Sequence, residues 1–285
     1  MISIFCKRAF LNVSPGEIFA LRTKPVRRGH LMRVSSIIRG DQIAEYLNAK
    51  LNPTEGYEND VCVYVKPHVP PGFDFNFEGH PYMDIVDGWG LIPLMEKHPE
   101  VPVIACSEQD VIKLSQRLKN KMILIPQHHC NYNREKRERT GIKTIGIIGT
   151  YKAFNFLPPN IDEELKKRGI ELIRYSNFFS RQDIIDFYKG IDLQLIWRPY
   201  RMRLSNSLKL VNAASFGIPS IVFEETVFEE IRGCYLQGRT LETLMKQLDH
   251  LIADPHLYDV VSQKSIELSE KYHISNIAKL YQQLT

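Results

Sequence analysis

Short apolar runs alternate with amphipathic segments along this chain, and this alternation restricts its possible folds more than any other feature. Residues 60–66, 101–107 and 121–126 are runs rich in valine and isoleucine, of the length expected for buried strands. Between the last two, residues 108–118 have helical spacing, with Ser107 as a candidate N-cap and acids in the first turn. Strands separated by helices predict an α/β fold with a parallel sheet.

The pattern occurs twice. Residues 127–143 are polar and highly charged, have no apolar periodicity, and are predicted to link two domains over residues 1–135 and 136–285. The predicted strands of the second half cover residues 144–149, 170–175, 192–197 and 220–223, and its first helices cover residues 161–168, 181–190 and 207–216.

Composition places the chain among ordinary globular proteins. It has 285 residues and a net charge of +4, which is too small to indicate a nucleic-acid partner. Its five cysteines form no CxxC pair, which predicts buried free thiols and a cytoplasmic protein. No apolar run approaches the roughly 20 residues that span a bilayer, and the polar N-terminus does not resemble a signal peptide. No metal site or cofactor is predicted.

The predicted strand 192–197 leads into a cluster of cationic and capping residues. Arg198 follows the strand, Ser205 or Ser207 can cap the next helix, and Lys209 lies in that helix's first turn. Lysine at this position opposes the helix dipole, which a bound anion would explain. Because ligands of open α/β sheets bind at the carboxyl ends of strands, the cluster predicts a phosphate site. A solvated basic loop is the alternative.

A second strand end is expected to face the same ligand. The predicted strand 144–149 stops at Gly149, and the backbone of Gly149 and Thr150 can approach a phosphate. Gly146 and Gly149 do not make up a dinucleotide-binding fingerprint, so the loop is also compatible with an ordinary strand–helix turn.

The stretch KLVNAASFGIPSIV resembles the donor-site signature of GT-B glycosyltransferases, especially the retaining family 4, also called glycosyl transferases group 1. IGIIGTY, which ends at Tyr151, is similar to the first strand and phosphate loop of that family's C-terminal domain. The resemblance implies two Rossmann-like domains that face each other across a cleft. The N-terminal domain is expected to be trimmed, and the last helix, about 273–285, to cross back to it.

The resemblance also implies a reaction. A nucleotide-diphosphate sugar would donate its sugar to an acceptor hydroxyl with retention and without a metal, while Arg198 and Lys209 stabilise the departing diphosphate. The family's glutamate pair, eight residues apart, corresponds here to Leu204 and Asn212. Asn212 is kept as a donor contact. Glu224 and Glu225, after the next strand, are expected to take over part of the binding of ribose and sugar hydroxyls.

The acceptor is expected to bind at strand ends of the first half. Asp87 ends the predicted strand 82–87 and is the candidate for orienting an acceptor hydroxyl, and Trp89 is the candidate for stacking on a sugar. A cap of the turn that follows is the equal alternative for Asp87. His128, at the domain junction, is the third acceptor-side candidate, with a structural role as its alternative.

Two other functions remain open from the sequence. One is a compact phage-type nucleic-acid glucosyltransferase, and the other is an inactive GT-B scaffold that binds a nucleotide sugar or a partner. The acceptor class, whether glycan, lipid-linked, small molecule or nucleic acid, and the oligomeric state cannot be read from the sequence.

Overall fold

The computed structural model describes residues 1–6, 35–67, 69, 74–138, 141–176, 178, 180–199, 203–223 and 225–285. The chain divides into two compact units. The first comprises Met1–Gln127, Arg203–Asn206 and Ile277–Thr285, and the second comprises His128–Met202 and Ser207–Asn276. The first division therefore falls after Gln127, inside the segment predicted as a linker, and the final residues belong to the first unit.

The first unit is built on a parallel sheet of six strands. The order is β2-β1-β3-β4-β5-β6, so the chain changes direction across the sheet between β1 and β3. The strands are β1 (Ile2–Cys6), β2 (Lys50–Leu51), β3 (Val61–Val65), β4 (His80–Asp84), β5 (Val103–Ala105) and β6 (Met122–Leu124).

Short helices connect these strands. They are a π-helical turn (Ser36–Asp41), α1 (Gln42–Leu47), a 3-10 turn (Trp89–Leu91), α2 (Ile92–Met95) and α3 (Glu108–Ser115). The predicted cap of α3 is confirmed, because the Ser107 hydroxyl accepts the Asp110 N–H at 3.0 Å. α1 ends at Leu47, because Asn48 adopts a left-handed backbone (φ 52°) before β2 begins.

The second unit contains a parallel sheet of five strands in the order β11-β10-β9-β7-β8. Here the chain changes direction between β7 and β9, which makes that junction the topological switch point of the sheet. The strands are β7 (Thr144–Ile148), β8 (Glu171–Tyr175), β9 (Leu193–Ile196), β10 (Ser220–Val222) and β11 (Tyr235–Gln237).

The helices of the second half follow the predicted pattern closely. They are α4 (Tyr151–Phe154), α5 (Ile161–Lys167), α6 (Arg181–Gly190), α7 (Leu208–Ser215), two 3-10 turns (Thr226–Ile231 and Glu270–Tyr272), α8 (Leu241–Ala253), α9 (Pro255–Ser269) and α10 (Ile274–Gln282). The bounds of α6 are those predicted. Its N-terminus is fixed by a capping box between Ser180 and Asp183.

Both faces of the second sheet are covered. Ile145 and Ile147 of β7 pack in one apolar cluster with Leu165 of α5 and Leu248 of α8. Ile148 packs on the other side, in a cluster that contains residues of α6 and α7. Burial of alternate residues on opposite faces is the arrangement of a doubly wound parallel sheet.

Within the described part of the chain, no helix is long and apolar enough to cross a membrane.

Candidate functional site

Three neighbouring strand ends form the candidate site of the second unit. β10, β9 and β7 lie side by side, and their register pairs Ile196 with Val222. The residues of interest that follow β10, β9 and β7 are Glu225, Arg198 and Gly149, respectively. The site therefore lies at the carboxyl edge of the sheet and at its switch point, where open α/β sheets bind ligands.

Lys209 reaches this edge from the helix that follows β9. It is the second residue of α7, and a Cβ atom on Gly149 would lie 3.1 Å from its ammonium nitrogen. Glycine at position 149 thus allows the cation to approach the end of β7. Among the residues that the structure describes, no oxygen atom makes a hydrogen bond or ion pair with Lys209 Nζ.

The surroundings lower the pKa of Lys209 to about 8. The residue is exposed, but the protein atoms near the ammonium reduce its hydration, which disfavours its charged form. The positive charge of Arg198 lowers the pKa further, whereas the Glu225 carboxylate opposes both effects. An anion bound here would stabilise the charged form of Lys209.

Arg198 and Glu225 form a bidentate ion pair. Nε of Arg198 donates to Oε1 of Glu225 at 2.6 Å, and Nη2 donates to Oε2 at 2.5 Å. The side chains are 24% and 11% exposed. The two residues predicted to bind different parts of a donor thus bind each other. This pairing was not anticipated from the sequence.

The predicted cap serines behave differently from one another. Ser207 occupies the N-cap position of α7, but its side chain accepts no helix N–H and instead bonds to the Tyr272 hydroxyl. Ser205 lies in the first unit, where its N–H donates to Asp110 Oδ1 and its carbonyl accepts from Ser107, both at 3.1 Å. Ser205 is therefore assigned to the first unit and not to the unit that contains the second sheet.

The two positions that match the family's glutamates are used for packing. The side-chain oxygen Oδ1 of Asn212 accepts the Cys130 N–H at 2.8 Å and fixes the segment before β7 to α7. Leu204 is 1% exposed and belongs to the core of the first unit. Glu224 lies outside the described residues.

The loop after β7 presents fewer free backbone N–H groups to a ligand than predicted. The Gly149 N–H already donates to the Tyr175 carbonyl at 3.0 Å, as part of the sheet. Thr150 occupies the N-cap of the one-turn helix α4 without a side-chain cap bond, and Tyr151 is 58% exposed. Gly149 is therefore important at this site for the space that it leaves to Lys209.

Asp87 lies on an unusual turn of the first unit. The predicted strand 82–87 is too long: β4 ends at Asp84, and Val86 adopts a left-handed backbone with φ 52°. This conformation is strained for a β-branched residue, and such strain is concentrated at functional sites. Asp87 is exposed and forms an ion pair with Lys66, the residue after β3.

Trp89 follows Asp87 on a 3-10 turn. The guanidinium groups of Arg117 and Arg203 lie 5.7 and 5.6 Å from its ring, within the range of cation–π attraction. The indole is partly buried against the core of the first unit. A sugar that stacks on Trp89 would have to share the ring with these arginines.

His128 is separated from Asp87 and Trp89 in the division of the chain. It belongs to the second unit and is 2% exposed, with Nδ1 placed 3.2 Å from the His129 carbonyl oxygen and its ring against Tyr132. Nothing in these contacts gives it access to an acceptor.

Among the described residues, no group of three or more His, Cys, Asp and Glu side chains is arranged to hold a metal ion.

The first unit contains a buried ion pair that the sequence patterns did not predict. Arg39 and Asp84 are 1% and 0% exposed, and Arg39 Nε lies 2.5 Å from Asp84 Oδ2. The Tyr281 hydroxyl of α10 donates to the same carboxylate at 3.2 Å. Two sequence features indicate such a pair. Arg39 follows two isoleucines, and Asp84 lies at the end of an apolar strand.

Comparison with known proteins places this geometry in context. No family model matches the chain. A curated relative from Haemophilus influenzae, described as an uncharacterized glycosyltransferase, is 22% identical over 237 residues that cover 72% of this chain. The chain spans 65% of that relative's length.

Solved structures show the same fold. TarM superposes with a TM-score of 0.57 at 12% identity, over 79% of this chain and 54% of the other. HepE from Anabaena, solved in complex with UDP and glucose, superposes with a TM-score of 0.55 at 12% identity, over 79% of this chain and 70% of the other. These are GT-B glycosyltransferases with two Rossmann-like domains, and the predicted α/β fold of that class is confirmed.

Proposed function

We propose that the chain is a retaining, metal-independent glycosyltransferase similar to family 4, which moves a sugar from a nucleotide-diphosphate donor to an acceptor hydroxyl. The observation that carries the proposal is the Lys209 ammonium, which lies against Gly149 at the switch point of the second sheet without an anionic partner among the described residues. A diphosphate is the ligand that such a position suits.

The cations would act on the leaving group. When the bond between the sugar and the diphosphate breaks, negative charge grows on the phosphate oxygen that departs. Lys209 and Arg198 would neutralise that charge in place, which is the role that a metal ion has in other transferases. The second unit is proposed as the donor domain and the first as the acceptor domain.

The relatives suggest which nucleotide to test first. HepE and Staphylococcus aureus TarM were each solved with UDP, so UDP is the first probe of the proposed donor site. Nucleotide release from a panel of nucleotide sugars, with UDP-glucose first, tests the proposal when it is measured with and without candidate acceptors. Turnover of at least one donor is expected. Failure to bind or turn over any of them would contradict the proposal.

The pKa of Lys209 leads to a prediction about pH. In the free protein the ammonium loses its proton as the pH rises through about 8. Because a diphosphate binds the charged form better, UDP affinity should be roughly tenfold lower at pH 9 than at pH 7. The phosphates stay ionised over this range, since their last pKa is near 6. Calorimetric titration at both values measures the change.

The Lys209→Arg variant is the matched control, because its charge persists at pH 9. Its UDP affinity should change little between the two pH values. Equal affinities of the wild type at pH 7 and pH 9 would show that the Lys209 ammonium does not contact the diphosphate.

The acceptor side leads to a second prediction. Asp87→Asn keeps the size of the side chain and removes its charge. Loss of a hydrogen bond from a charged group should lower the transfer rate by roughly 10- to 150-fold, equivalent to about 1.5–3 kcal/mol, and leave UDP affinity unchanged. Initial rates with the identified acceptor measure the effect. Asp74→Asn, another exposed ion-paired carboxylate of the first unit, is the control. Unchanged transfer would mean that Asp87 only caps its turn.

One observation favours an inactive scaffold as the second candidate. The glutamates of the family are replaced by Leu204 and Asn212, and both side chains are committed to packing. A scaffold of this kind would bind UDP-sugars through Lys209 without releasing UDP. The same nucleotide-release assay, combined with a binding titration, separates this candidate from the enzyme.

A further inference from the structure

Among the described residues, Arg198 makes hydrogen bonds through one edge of its guanidinium only. A guanidinium has five N–H groups: one edge presents Nε and Nη2, and the other presents Nη1 and Nη2. Arg198 uses the first edge for Glu225. Within the described residues, no acceptor contacts its Nη1.

Arg168 shows how a structural arginine is satisfied in this unit. Its Nε and Nη2 bind Asp249 at 2.6 and 2.9 Å, in the same fork that Arg198 makes with Glu225. Its Nη1 also donates to the Glu164 carbonyl and carboxylate, at 2.9 and 3.0 Å. Both edges of Arg168 are therefore used, whereas one edge of Arg198 has no acceptor among the described residues.

The position of Arg198 explains why the edge that has no acceptor among the described residues matters. Arg198 and Glu225 follow adjacent parallel strands, next to the strand end where Lys209 lies over Gly149. Arg198 is close enough to Lys209 for its charge to disfavour the charged lysine. An anion bound by Lys209 is consequently within the neighbourhood of the Arg198 guanidinium, and arginine can bind a phosphate through two N–H groups at once.

We propose that Glu225 is a positioning residue, which holds one edge of Arg198 so that the other edge is presented to the donor diphosphate. This inference rests on the proposed function and refines it. Glu225 then makes no bond to the sugar, in contrast to the role that the sequence suggested. The pair is kept in the complex, because phosphate and carboxylate use different N–H groups of the same guanidinium.

The sign of the Glu225→Ala effect separates this role from the alternatives. Removal of a negative charge beside a diphosphate should, by charge alone, strengthen binding. Loss of positioning should weaken it instead. We expect UDP affinity to fall about tenfold in Glu225→Ala, and Glu225→Gln, which retains an oxygen acceptor for Arg198, to recover much of the loss. Uridine affinity should not change, because uridine has no phosphate.

A double-variant cycle completes the test. In an Arg198→Ala background, Glu225→Ala should have no further effect on UDP affinity, because there is no guanidinium left to position. Asp249→Ala, which breaks the equivalent fork on Arg168, should leave UDP affinity at the wild-type value. All affinities are measured by calorimetry at pH 7 on the full chain.

Three outcomes would overturn the inference. Tighter UDP binding in Glu225→Ala would show that Glu225 opposes the diphosphate. Unchanged UDP affinity with weaker UDP-glucose affinity would show that Glu225 binds the sugar. An undiminished effect in the Arg198→Ala background would show that Glu225 acts independently of Arg198. If the wild type binds none of UDP, GDP and ADP, the proposed function fails together with this inference, whereas the three outcomes above leave the proposed function intact.

Discussion

The Asp84→Ala variant should lose about 3–5 kcal/mol of the unfolding free energy of the first unit, because it leaves the Arg39 cation buried without its counter-ion. Arg39 and Asp84 are both almost completely buried, so water cannot replace the lost carboxylate. The remaining bond from Arg39 Nη1 to the Pro126 carbonyl, at 3.1 Å, does not neutralise the charge. The Tyr281 hydroxyl would also lose its acceptor.

A double variant supplies the control. Arg39→Met combined with Asp84→Leu removes both charges and replaces them with apolar groups, which should make the protein far more stable than Asp84→Ala alone. The two tryptophans of the chain allow the first unit to be followed separately, since Trp89 lies in the first unit and Trp197 in the second. Urea unfolding is therefore monitored by Trp89 fluorescence in a Trp197→Phe background. A loss below about 1 kcal/mol for Asp84→Ala would contradict the assigned role of the pair.

Lys209→Ala should weaken UDP binding by roughly 10- to 150-fold, which corresponds to about 1.5–3 kcal/mol for a hydrogen bond to a charged group. Uridine binding should hardly change. The fold should survive, because the lysine lies in the first turn of α7, where it opposes the helix dipole, and has no anionic partner among the described residues. Calorimetry with UDP and uridine, together with thermal unfolding, measures these effects.

Lys246→Ala, which changes a lysine of α8, is the matched control and should bind UDP as the wild type does. Equal UDP affinity in the wild type and Lys209→Ala would mean that the cationic cluster is a solvated surface.

Local patterns predicted the second half of the fold well. The bounds of α6 follow from its amphipathic spacing, and the parallel strands follow from apolar runs bounded by turn residues. The missed strands β2 and β11 have two and three residues and contain no valine or isoleucine, unlike the apolar runs that indicated the other strands. Asn160 is a residue type that favours N-caps, but it adopts φ 64° before α5 and makes no side-chain cap bond.

The candidate site was predicted only as far as local sequence allowed. A strand end followed by a helix start indicated Arg198 and Lys209, which lie eleven residues apart. Their partners depend on sheet order and register. Glu225 meets Arg198 because β9 and β10 are neighbours, and Gly149 meets Lys209 because β7 lies on the other side of β9. The spacing of apolar residues in a single sequence does not show the order of the strands in the sheet.

A crystal structure of the full chain with UDP tests the central claim most directly. We expect the diphosphate at the carboxyl ends of β7 and β9, with an oxygen atom about 2.7–3.0 Å from Lys209 Nζ and another at a similar distance from Arg198 Nη1. Glu225 should remain on the opposite edge of Arg198. A nucleotide bound elsewhere, or a diphosphate out of reach of Lys209, would contradict the assignment of the second unit as the donor domain.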